Sequence, residues 1–165
     1  MKNNYKILTK SQLKLINDNA HRSNFFISLK KIDKEFINFN NFINAYEIHI
    51  NNNLLSKKNI DSNFEDTLFE SIISRLEHLD NYKKITLKIY LESQKNTKYF
   101  FTLSHYLNSY FSNFTNSIFE KSLMMSLYAI SFQVWIEDDN DLEKTMSFLG
   151  NSLEQIKKIK PFFKK

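Results

Sequence analysis

One glycine and one proline in 165 residues is the feature that most limits what this chain can become. Sheets need many tight reversals, and those draw on Gly for positive φ and on Pro for a fixed φ. A strand-rich fold is therefore hard to connect here. Helices joined by Asn, Asp and Ser turns need few such residues, so an all-α fold is expected. Hydrophobic residues at 42% and charged residues at 25% supply enough apolar surface for one core and argue against a disordered chain.

Helix starts punctuate the sequence. Thr9-Lys10-Ser11-Gln12 has the form of a capping box, followed by Leu13, Ile16 and Ala20 at helical spacing. Ser23-Asn24 breaks that helix, and Ser28 caps a short second one through Leu29, Ile32 and Phe36. Asn38 to Leu55 carries a wide apolar stripe of Phe39, Phe42, Ile43, Tyr46 and Ile50. A second box, Ser62 to Glu65, opens a helix through Leu68, Phe69, Ile72, Ile73, Leu76 and Leu79. Shorter helices are expected over Ile85–Leu91 and Tyr99–Phe111.

Ile118 to Ile136 is apolar nearly all round, which predicts a central helix buried on most sides. Its expected stripe is Leu123, Leu127, Ile130 and Val134, with Met124, Tyr128 and Trp135 beside it. A third box, Asn140 to Glu143, begins a last helix with Leu142, Thr145, Met146, Leu149, Leu153 and Ile156. Gly150 within it weakens the helix by about 1 kcal/mol relative to Ala, unless backbones pack closely there. Pro161 ends it. No repeat and no linker appears, so one structural unit of seven to nine helices is the reading.

Several chemistries lack their residues. Without Cys there is no disulfide, thiolate zinc site or cysteine nucleophile. A single Gly leaves no phosphate-binding loop. His21, His49, His78 and His105 lie far apart, so no metal or other cofactor is expected. No nucleophile-elbow context surrounds a Ser, and Glu137-Asp138-Asp139 suits a helix cap better than catalysis. The expectation is a protein without catalytic residues. Met1 to Lys6 lacks the apolar core of a signal peptide, and Leu123 to Ile136 falls short of the roughly 20 residues a bilayer requires. A cytoplasmic location is expected, with peripheral contact at the inner membrane as an extension of it.

Charge is unevenly placed. Residues 1–60 hold ten Lys/Arg against four Asp/Glu, residues 61–156 eight against fourteen, and residues 157–165 five Lys with no acid. Basic ends on an acidic body suit a polyanion or an anionic membrane surface, although solvated faces account for the same charges. The candidates for nucleic acid are Lys10, Lys14, Lys30, Lys31 and Lys34. For a membrane they are Lys157, Lys158, Lys160, Phe162, Phe163, Lys164 and Lys165, in which cations alternate with apolar residues.

Two segments carry a family resemblance. Val134 to Leu149, an aromatic closing a buried helix, an acidic turn, then Thr145 and Phe148-Leu149, resembles the last helix junction of the COQ9 family and its TetR-like relatives. Asp66 to Lys83 resembles the helix that follows the DNA-binding region in small TetR-like proteins. Together they span residues 60–158. The resemblance implies a TetR/COQ9-like helical bundle: a basic region over 1–60, a ligand-binding body over 61–158 and a basic tail over 159–165. Phe26 to Ile32 matches the entry to the second helix of a helix-turn-helix, but Phe42-Ile43-Asn44-Ala45-Tyr46 follows too early and no Gly serves the turn. That region therefore reads as shortened and degenerate.

The family likeness implies an apolar pocket. Phe100, Phe101, Leu103, Tyr106, Leu107 and Tyr110 would face Met124, Leu127, Tyr128 and Phe132, together with Leu123, around a lipid or isoprenoid ligand. Aromatic stripes at helical spacing serve equally as closed core. TetR-type proteins dimerise through their last two helices, so a homodimer through Leu149, Leu153 and Ile156 is expected, unless these pack inside one subunit. The functional expectation is a non-enzymatic accessory protein that assists ubiquinone biosynthesis. Its rival is a ligand-responsive transcriptional regulator binding DNA through residues 1–60.

Overall fold

The computed structural model describes residues 8–20, 25–56, 63–139 and 141–159. Among them are eight α-helices, one short 3-10 helix and no strand, as the scarcity of Gly and Pro implies. They run α1 (Lys10–Asn19), α2 (Phe25–Ile32), the 3-10 helix (Lys34–Ile37), α3 (Phe39–Leu55), α4 (Phe64–Asp80), α5 (Lys83–Lys95), α6 (Thr97–Phe111), α7 (Ile118–Ile136) and α8 (Glu143–Ile159). No helix among the described residues is long and apolar enough to cross a membrane.

The chain forms two compact units. The first gathers α1, α2, the 3-10 helix, α3, α5, α6 and the last turn of α4, from His78 onward; the second takes α4 as far as Glu77, together with α7 and α8. The division expected near residue 60 does not follow these units, because α5 and α6 return to the N-terminal helices. Asn17 Oδ1 on α1 accepts the Ile85 N–H at the start of α5 (3.2 Å), and Thr102 on α6 donates to Asn40 on α3 (2.7 Å).

In the first unit α1 begins at the expected capping box: Thr9 Oγ1 accepts from the Gln12 N–H, and Gln12 Oε1 accepts from the Thr9 N–H. The second helix departs from expectation. It starts at Phe25 rather than at Ser28, and Phe36 belongs to the separate 3-10 helix, whose Asp33 side chain caps the Glu35 N–H. Phe25 is the reason, since it is buried and meets Phe39 and Phe42 edge-on at 6.1 Å each. Asn38 caps α3, and Phe39, Phe42, Ile43, Tyr46 and Ile50 form the buried stripe read from the sequence. The Tyr46 hydroxyl, deep in this core, hydrogen-bonds the Thr86 hydroxyl of α5 at 2.7 Å.

In the second unit α4 contributes Leu68, Ile72 and Leu76 to the core. Asn63 caps it by accepting the Asp66 N–H, one residue beyond the Ser62 expected, which lies outside the described residues. The span of α7 matches the sequence reading, but its phase does not. The buried face is Met124, Leu127, Tyr128, Ser131, Phe132 and Trp135, whereas Ile130 is exposed and Leu123 and Val134 are half-buried. A helix apolar on every side has no preferred face to read, and the largest rings took the interior. Leu149 and Leu153 of α8 are likewise buried within the chain, the alternative the sequence left open for them, Ile156 is half-buried, and α8 packs with α7.

The α7–α8 junction is built without glycine. Asp141 and Leu142 both adopt positive φ, 44° and 67°. The cap expected from Asn140, outside the described residues, is supplied by buried Asp138: its Oδ2 accepts the Thr145 N–H (2.9 Å) and hydroxyl (2.8 Å). The acidic run is thus in part a helix cap, as its position suggested.

Candidate ligand cleft

The first unit contains a cleft of about 820 Å³ between α3 and α6. Opposite its apolar stripe, α3 carries Asn40, Asn44, Glu47 and Asn51 at helical spacing, and the last three are buried. Contacts at both ends tie this polar face to α6. Near the start, Thr102 Oγ1 donates to Asn40 Oδ1 and the Phe39 and Tyr99 rings meet edge-on at 5.3 Å. Further along, Asn51 Nδ2 donates to the Tyr106 carbonyl at 3.4 Å. Between these ties the helices leave the cleft, lined by Asn40, Asn44, Thr97, Lys98, Phe101, Thr102, His105 and Tyr106.

Asn44 is the informative side chain. It is 8% exposed and lines the cleft. Around it Thr97 and Lys98 bring the first turn of α6, where Asn96 Oδ1 accepts the Lys98 N–H. Phe101, at 69% exposure, and half-buried Tyr106 bring apolar ring surface.

The ten residues expected to wall one pocket divide between the two units. Phe101 and Tyr106 line this cleft, Phe100 is exposed, Leu103 and Leu107 are half-buried, and Tyr110 is buried in the first unit. Met124, Leu127, Tyr128 and Phe132 are buried in the second unit, where Tyr128 packs against Phe111 and Phe132 at 5.8 and 6.0 Å and lies under the Arg75 guanidinium. Those four serve there as packed core.

The basic candidates Lys10, Lys14, Lys30, Lys31 and Lys34 are all exposed, on α1, α2 and the 3-10 helix. Lys157 and Lys158 are exposed at the end of α8, while Lys160, Phe162, Phe163, Lys164 and Lys165 lie outside the described residues.

No cluster of three or more metal-ligating side chains occurs among the described residues. Two histidines do meet although far apart in the chain: His49 and His78 stack at 6.3 Å, both against Tyr82. Burial holds His49 below the usual histidine pKa and keeps it neutral; the Leu8 carbonyl, accepting from Nδ1 at 2.9 Å, pulls the other way, and Lys10 adds to the lowering. Burial also raises the Tyr82 phenol above its ordinary value. No spacing rule anticipates this cluster. The polar stripe of α3 was readable in the sequence, but Asn at helical spacing ordinarily marks a solvent face.

Comparison with protein-family models, with characterised proteins and with solved structures finds no match for this chain.

Proposed function

We propose that this protein is a non-catalytic binding protein that takes an apolar ligand, of the isoprenoid or quinone-related kind implied by its resemblance to the COQ9 family, and acts as an accessory factor in ubiquinone biosynthesis. The observation that carries the reading is the α3–α6 cleft, whose volume of about 820 Å³ lies within the usual range for small-molecule sites and which presents Phe101 and Tyr106 as ring surface. Its titratable lining groups are Lys98, His105 and Tyr106, with no carboxylate among the described lining residues to form a nucleophile–base relay, so binding is the favoured role over turnover.

The second reading is a DNA-binding regulator, favoured by five exposed lysines on α1, α2 and the 3-10 helix. Against it, the element after α2 is a 3-10 helix of four residues, where a helix-turn-helix would insert a full recognition helix into the major groove. Native mass spectrometry of protein purified without detergent, followed by organic extraction, tests the first reading. A stoichiometric isoprenoid or quinone is the expected result; a bare apo mass together with salt-sensitive DNA binding would select the regulator.

A further inference from the structure

We propose that the outer face of α2, continued by α5, docks on an anionic lipid bilayer, with Phe26, Ile27 and Leu91 entering the interface and Lys30, Lys31 and Lys84 meeting lipid phosphates. This surface does not depend on what the α3–α6 cleft holds. At about 100° per residue, Phe26, Ile27, Lys30 and Lys31 fall within one arc of about 140° on α2, and all four are exposed. Phe25 and Leu29, on the other side of the helix, are buried. Phe26 joins this face to α5, because its ring packs edge-on against Phe39 at 5.2 Å and lies 5.5 Å from Lys88 Nζ. Lys84, Lys88 and Leu91 are spaced to share one face of α5, and Lys84 and Leu91 are exposed there.

Charge and apolar exposure together choose the occupant. The first unit holds fifteen Lys/Arg against six Asp/Glu, and the second eight against twelve, so the positive charge that suits an anionic surface belongs to the first. On its α2–α5 face, Lys88 and Lys95 are already paired with Glu92 at 3.0 and 3.4 Å. Lys30, Lys31 and Lys84, in no ion pair with a described residue, are the cations that remain for an outside anion. Among them Phe26, Ile27 and Leu91 are 44%, 54% and 50% exposed. Ile27 and Leu91 have no ring to stack on a base and gain nothing from a phosphate, so an aqueous polyanion leaves them in water. A bilayer takes them at its acyl boundary, directly below head groups that attract the lysines.

Sedimentation of the full chain with phosphatidylcholine vesicles, with and without phosphatidylglycerol, tests the assignment. Partition should require phosphatidylglycerol and weaken with salt. Lys30→Gln with Lys31→Gln should weaken it by roughly thirtyfold. Ile27→Ser with Leu91→Ser, at positions the core does not use, should weaken it by about tenfold while the helical circular-dichroism spectrum is kept. Ile27→Trp locates the contact directly. The introduced indole should shift its emission to the blue on the vesicles and be quenched by lipid brominated on the acyl chain, over a constant background from Trp135, which is buried in the second unit. An indole that stays unquenched on bound vesicles would place the contact elsewhere in the chain and overturn the proposal. So would absence of partition, or retention of duplex DNA in place of vesicles with the Ile27→Ser, Leu91→Ser variant indifferent, which would give these lysines to nucleic acid.

Discussion

Asp138 carries more of the second unit than its place in an acidic run would suggest. Its carboxylate is buried and accepts both the backbone N–H and the hydroxyl of Thr145, closing the first turn of α8 from seven residues upstream. Asp138→Ala removes the oxygen that accepts both bonds and strands a buried N–H, so stability should fall by about 2 kcal/mol in urea denaturation. Ser131 is the opposite case: its hydroxyl is fully buried in α7 with no partner, and Ser131→Ala should raise stability by about 1 kcal/mol. His49 links stability to pH. Because its folded pKa lies below that of the unfolded chain, about 6.5, the unfolded state binds the extra proton first. Its contribution is present in full above pH 6.5 and is lost as pH falls toward the folded value. Urea midpoints measured from pH 7.5 to pH 5 should therefore drop more steeply in the wild type than in His49→Gln; parallel curves would remove His49 from the acid response.

At the scale of elements, the sequence was most readable where each helix start has its own local chemistry. Thr9 with Gln12 and Asn38 before α3 are caps made by near neighbours, and their helices begin as expected. The α8 cap was misplaced because its donor and acceptor stand seven residues apart, with two positive-φ residues, Asp141 and Leu142, between them. Phase was lost for α7, whose apolar residues circle the whole helix; Trp135 and Tyr128 face inward while Ile118 and Phe119 remain exposed. Gly150 settles a conditional expectation. A Cβ there would meet nothing within 4 Å, so no close backbone approach requires glycine. Gly150→Ala should stabilise α8 by about 1 kcal/mol, read as a higher melting temperature. The side chain would edge a second cleft of about 260 Å³ bordered by Glu65, Asp66, Glu70 and Glu154, so unchanged stability would show that solvation of that cleft offsets the helix propensity.

The fold class of the whole molecule was legible because it depends on two counts, one Gly and one Pro, that no packing detail can reverse. The cleft was not, since a site lined by Asn and Thr looks in sequence like ordinary helix surface, and Asn44 becomes unusual only once it is known to be buried. Charge is also a property of the whole chain: the basic N-terminal region and the five lysines of residues 157–165 flank an acidic middle. A protein that meets DNA through several phosphates loses affinity steeply with salt, roughly in proportion to the number of contacts. Contact with an anionic bilayer weakens with salt too, but ring insertion adds an apolar contribution that salt does not screen. Flotation with vesicles of phosphatidylglycerol and phosphatidylcholine, at 50 and 300 mM salt, separates the two. We expect binding to anionic vesicles that salt reduces without abolishing, and a further loss on joint substitution Phe162→Ser and Phe163→Ser. Duplex DNA bound at 50 mM salt and released at 300 mM, with vesicles ignored throughout, would instead assign the N-terminal lysines to nucleic acid and the C-terminal ones to solubility.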